Sequence, residues 1–197
     1  MTAAEKLDLI AVEDYLAGEL VSETKHEYLD DGVYAMARAR KLHNVIAGNV
    51  FGFLHSRLRG KPCQPFNSDT KVRLRLTSHV RFYYPDISVV CDPNPVTDSF
   101  QDDPVVVVEV LSAKTRRTDE GEKKDAYLTI GKLAVYILVE QEPAAVVAYR
   151  RTEQGFVREV YASTGDVILL PEIETELPLA EIYEGVEFTP EPDDEAS

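Results

Sequence analysis

The residues that could do chemistry are acids placed against apolar strands. Pro85-Asp86 precedes the run ISVVC, and Glu109 interrupts VVVVEVLS, Val105 to Ser112. A buried carboxylate without a partner is costly, so it must be paired, hydrogen-bonded, protonated or bound to a metal. Two carboxylates converging from adjacent strands repel unless a cation neutralises them, and a hard divalent ion with oxygen ligands is the usual solution. Mg²⁺ suits that donor set. The competing reading at this level is that Asp86 caps a turn after Pro85 and Glu109 pairs with an arginine.

Three further polar residues fall where such a centre would use them. In EGEKKDAYLTI, Lys123 shares a helical stripe with Ala126, Tyr127 and Ile130, whereas Lys124 lies one residue further round. An inward ammonium just after the Glu109 strand would stabilise a developing anion or orient water; alternatively it snorkels over apolar surface. His43 shares a stripe with Ala47, Val50 and Leu54, so it is either a site residue or a satisfied structural histidine. Glu27, before a hairpin, is either a third acid near the metal or a surface strand residue.

The elements that must position these groups are legible in the pattern. VEDYLAGEL predicts a short helix, and KHEYLDDGVYAMA a hairpin turning at Asp31-Gly32. Apolar residues at helical spacing predict a helix from Arg40 to about Leu58, ended by Gly60, Pro62 and Pro65. TKVRLRL alternates as a half-buried strand, with Lys71, Arg73 and Arg75 turned to solvent or phosphate. FYYPDISVVC and the valine run read as internal strands, a helix spans about Asp119 to Ile130, and LAVYILVE, PAAVVAYR and GFVREVYA supply later strands. The expected class is α/β or α+β, a mixed central sheet flanked by helices with additional antiparallel strands.

Composition narrows the function. At 197 residues and 44% hydrophobic the chain suits one domain, taken as 1–188, followed by an acidic, disordered tail at 189–197. No segment approaches a membrane span, and the acidic start lacks a signal peptide's basic and apolar blocks, which points to the cytoplasm. Cys63 and Cys91 read as reduced thiols. The net charge of −14 argues against a nucleic-acid coat protein, although Arg38, Arg40, Lys41, Arg57, Arg59 and Lys61 form a local basic cluster.

Taken in order, Glu27, the hairpin, His43, Pro85-Asp86, Glu109-Val-Leu-Ser112, Asp119, Lys123 and Tyr127 resemble the Uma2 family of the PD-(D/E)XK nuclease superfamily over nearly the whole chain. The resemblance implies a restriction-endonuclease-like fold and a Mg²⁺-dependent endonuclease, with Mn²⁺ as the alternative ion. It makes Asp86 and Glu109 the metal ligands, Lys123, His43 and Glu27 further catalytic residues, DNA the substrate and a homodimer the assembly. The superfamily's lysine normally stands two residues after the second acid, where this chain has Leu111, and Lys123 matches a substitute from the following helix. The family's glycine after Asp30 is Asp31 here. A nuclease-fold binding or interaction protein with weak or no catalysis is the alternative function.

Overall fold

Proline has no N–H for a ladder and cannot sit inside a central strand. At Pro85 that rule divides a stretch that reads as one strand into two belonging to different sheets. The computed structural model describes residues 9–36 and 39–188. Its elements are α1 (Val12–Glu19), β1 (His26–Leu29), β2 (Gly32–Ala35), α2 (Lys41–Leu58), β3 (Gln64–Asn67), β4 (Lys71–Arg75), β5 (Val80–Tyr83), β6 (Ile87–Val90), β7 (Phe100–Gln101) and β8 (Val106–Val110). There follow α3 (Arg116–Asp119), α4 (Glu122–Tyr127), β9 (Val135–Val139), β10 (Val146–Thr152), β11 (Gly155–Tyr161), β12 (Val167–Leu170), a 3₁₀ turn (Pro171–Ile173), β13 (Thr175–Pro178) and α5 (Leu179–Ile182). The acidic tail 189–197 and Arg38 lie outside the described residues.

The class is α+β. A mixed six-stranded sheet runs β11-β10-β9-β8-β6-β3, a second sheet runs β2-β1-β5-β4-β7, and β12 and β13 form a ribbon. Strands β8 and β9 are parallel and their neighbours antiparallel. Pro65 is tolerated because β3 is an edge strand. Strand alternation then sorts the valine run. Val106, Val108 and Val110 pack with Ile46, Val50 and Leu54 of α2 on one face. Val107 and Leu111 pack on the other with Val72, Leu74 and Tyr83 of the small sheet and with Ala126 and Tyr127 of α4. Tyr15 of α1 closes the outer face of the small sheet against Tyr28, Phe82 and Phe100. Glu109 therefore points between the two sheets, towards α4. Among the described residues no helix is long and apolar enough to cross a membrane.

Several local expectations are corrected. The hairpin pairs Leu29 with Gly32, so its two-residue turn is Asp30-Asp31, not Asp31-Gly32. Both aspartates take positive φ, at 50° and 67°, a conformation Asp tolerates better than most residues. The helix expected across 119–130 breaks at Gly121, where a Cβ would meet the Arg117 carbonyl oxygen at 2.7 Å. Cys63 and Cys91, expected as thiols, are joined in a disulfide beside the Gln64–Val90 pair of β3 and β6.

The bases of β4 are not an open phosphate stripe. Lys71 is buried, and Arg73 forks onto Asp102 with bonds of 2.9 and 2.7 Å while covering the Phe100 ring. Burial alone would raise the Asp102 carboxyl, but bonds from Arg73 and Asn94 outweigh it and hold it below the usual value. A depressed folded pKa gives stability that is present above the unfolded pKa and lost as pH falls through the folded one. Asp102→Ala is expected to cost about 1–2 kcal/mol near neutrality, discounted for partial exposure. The gap from wild type should shrink below about pH 4, as urea midpoints at several pH values would measure.

Candidate active site

Continuing the β6–β8 register one step from the Ile87–Val108 pair brings Asp86 opposite Glu109. Each acid is held by the other's strand. The Val110 N–H donates to Asp86 Oδ2 at 2.8 Å, and the Asp86 N–H donates to Glu109 Oε2 at 3.3 Å. The Pro85 break positions this exchange, because Asp86 lies in the crossing from the small sheet to the large one.

Lys123 lies on the buried side of α4. Its Nζ stands 2.9 Å from Glu109 Oε1, 3.2 Å from Glu27 Oε1 and 3.8 Å from Asp119 Oδ1, and 5.4 Å from the centre of the Tyr83 ring. Arg81 helps fix the helix by bonding both Glu122 and Asp30. Glu27 comes from β1 and also accepts the Tyr84 N–H at 3.4 Å. His43 approaches from α2, with Nε2 3.1 Å from Asp86 Oδ2 and Nδ1 unpartnered among the described residues. The five expected site residues thus form one connected constellation. Lys124 instead pairs with Asp125, and Lys114 is exposed.

Asp119 belongs to the family pattern but not to the expected site residues, yet it is 4% exposed and faces Lys123. The signal for it is the spacing D-x-x-x-K, which places acid and base one turn apart. Tyr136 O–H donates to the Asp119 carbonyl at 3.0 Å and steadies the end of α3.

Among the described residues Glu27, Glu109 and Asp119 gather round Lys123, while Asp86 meets His43. Burial pushes the Glu109 carboxyl well above its ordinary range, Lys123 opposes this, and Asp119 and Asp86 add to it. Burial also disfavours the Lys123 ammonium, but Glu109, Glu27 and Asp119 more than restore it, so Lys123 stays charged. Burial works against a charged His43 too, and Asp86 outweighs it, so the imidazole is raised. The site is therefore short of positive charge. Its oxygen donors fit a hard divalent ion. Among the described residues no group of three or more His, Cys, Asp or Glu side chains is gathered to hold a metal by itself. Asp86 and Glu109 would supply two ligands and leave the rest to water and substrate, which is how Mg²⁺ is commonly held.

Residues 12–180 match the Uma2 family, described as "Putative restriction endonuclease". The chain belongs to the Uma2 family. An uncharacterized Synechocystis protein, slr1290, is 32% identical over 180 residues, 91% of this chain and 94% of that protein. A second, sll1609, is 27% identical over 164 residues, 81% of this chain and 92% of its own length. The solved structure of "a putative nuclease belonging to DUF820" from Anabaena variabilis superposes with a TM-score of 0.66 at 18% identity, covering 82% of this chain and 90% of that one. At that identity the likeness is one of fold. The Uma2 match spans every residue of the constellation.

Tyr127 adds a testable detail beside this constellation. Its hydroxyl is buried and unpartnered among the described residues, and burial pushes its pKa well up. Leaving a buried hydroxyl unpaired costs free energy, so Tyr127→Phe is expected to stabilise the metal-free protein by about 1 kcal/mol, read as a higher urea midpoint.

Proposed function

We propose that the protein is a metal-dependent endonuclease that hydrolyses DNA phosphodiester bonds. The observation that carries this reading is the Asp86–Glu109 exchange, with Lys123 2.9 Å from Glu109 and more acids than cations around it. Mg²⁺, or Mn²⁺ in its place, held by Asp86 and Glu109, would polarise the phosphodiester and lower the pKa of a water. Lys123 sets its ammonium where negative charge builds on the phosphate. Glu27 holds Lys123 from the far side, and His43 orients Asp86 through Nε2. The lysine's arrival from α4 rather than from position 111 suits this role, since the charge reaches Glu109 all the same.

The testing experiment is cleavage of plasmid DNA by wild type, Asp86→Ala and Glu109→Ala with and without Mg²⁺. Metal-dependent cleavage by wild type alone supports the reading, and equal activity in all three removes it. A nuclease-fold binding protein is the second reading. What favours it is that Lys123 already meets three of the four acids, so the site holds together without a metal. DNA binding without turnover would decide for it. We further infer a homodimer, which would bring two centres to the two strands of a duplex. A monomer mass by light scattering at micromolar concentration would count against the dimer.

A further inference from the structure

A cavity of about 750 Å³ lies beside α1, the Pro93–Ser99 loop and the edge of the small sheet. Alternation along β4 turns Lys71 to this side, away from Val72 in the apolar layer between the sheets, and Tyr84, the residue after β5, lines it too. Lys71 is 4% exposed. Its one hydrogen bond among the described residues runs to the Tyr84 hydroxyl at 3.2 Å. That hydroxyl donates onward to Glu19 at 2.9 Å, so it is an acceptor for Lys71. An ammonium has three hydrogens, and two of these find no protein acceptor.

Gln101, 5% exposed, lines the same cavity. Its Oε1 accepts the Asn94 N–H at 2.8 Å, which leaves the Nε2 donors unused among the described residues. Three of the four bordering carboxylates have a partner of their own. Glu19 takes the His26 N–H and Tyr84, Asp69 takes Lys25, and Asp98 takes Asn94, while Glu23 is exposed. The unspent polar capacity of the buried wall is donor only, which calls for an acceptor-rich ligand. The half-buried Phe66 ring, with Leu20 and Val96 exposed nearby, offers contact to a planar or apolar body, whereas the buried Tyr84 ring already faces Lys25 and Lys71. The volume falls within the usual range for small-molecule sites.

We propose that this cavity binds a nucleoside monophosphate, Lys71 and Gln101 donating to phosphoryl oxygens and the Phe66 ring receiving the base. The oxyanion follows from the donors alone. The choice of a nucleotide among phosphate esters rests on the nuclease reading, since cleavage of DNA leaves a strand whose terminal nucleotide carries a phosphate, the group a nucleoside monophosphate presents.

The test is calorimetric titration of the full chain, with a metal chelator present, using deoxyadenosine monophosphate, inorganic phosphate and deoxyadenosine. The monophosphate is expected to bind saturably, inorganic phosphate to compete with it, and the nucleoside to bind more weakly. Lys71→Met should weaken binding by roughly tenfold or more, the scale of one charge-assisted hydrogen bond. Gln101→Leu, which keeps the test open should Lys71→Met fail to fold, should weaken it less. Asp86→Asn should leave it unchanged. No saturable binding, equal affinity for the nucleoside, or full affinity in both cavity variants would overturn the proposal. Because binding is read without metal, this outcome and that of the cleavage assay can fail separately.

Discussion

Asp86→Asn is expected to lower metal-dependent DNA cleavage by roughly 10³-fold or more, the scale of several kcal/mol of lost metal assistance. The fold should survive. The Asp86 side chain accepts the Val110 N–H at 2.8 Å, and an asparagine carbonyl can accept that same bond. Removing one charge from an acid-rich cluster also relieves repulsion, so the metal-free variant should match or exceed wild type in its urea midpoint. Unfolding of Asp86→Asn would make Asp86 a structural acid. Undiminished metal-dependent cleavage by a folded variant would remove it from the chemistry.

Lys123→Met is the second large effect, with turnover expected to fall by roughly 10²-fold or more, as for the loss of one preorganised donor. A stability loss should accompany it, because the ammonium stands among Glu109, Glu27 and Asp119. Deleting one partner of a buried ion network commonly costs about 3–5 kcal/mol. Added Mg²⁺ should recover part of that loss by supplying the missing charge, which a purely structural lysine would not predict. Lys124→Met is the control. Lys124 pairs with exposed Asp125 and covers Tyr149, so its loss should be nearly silent. Full activity in Lys123→Met with loss in Lys124→Met or Lys114→Met would refute the assignment.

What was legible beforehand was whatever local pattern controls. Helix α2 follows from the spacing of Ile46, Val50 and Leu54, and β8 from consecutive valines. Lys123 could be told from Lys124 because one helical step separates a buried stripe from a half-buried one. Features that depend on distant partners were not legible. Nothing near Arg73 announces Asp102, and Cys63 and Cys91 meet only because β3 pairs with β6. Lys71 reads as a surface base from alternation, yet it is buried in the wall of a cavity shared with α1 and the loop before β7. Pro85 was visible, but its effect is tertiary: the chain leaves one sheet and enters another. Gly121 likewise breaks the expected helix, because its backbone lies too close to the Arg117 carbonyl for a side chain.

The central claim is that Asp86 and Glu109 hold one divalent ion, and the most direct measurement is anomalous scattering from crystals soaked in Mn²⁺. A single strong peak is expected within about 2.1 Å of an oxygen of each carboxylate, with water filling the remaining positions. The peak should vanish in Asp86→Asn crystals. A peak bound elsewhere, or none at the Asp86–Glu109 pair at saturating Mn²⁺, would contradict it.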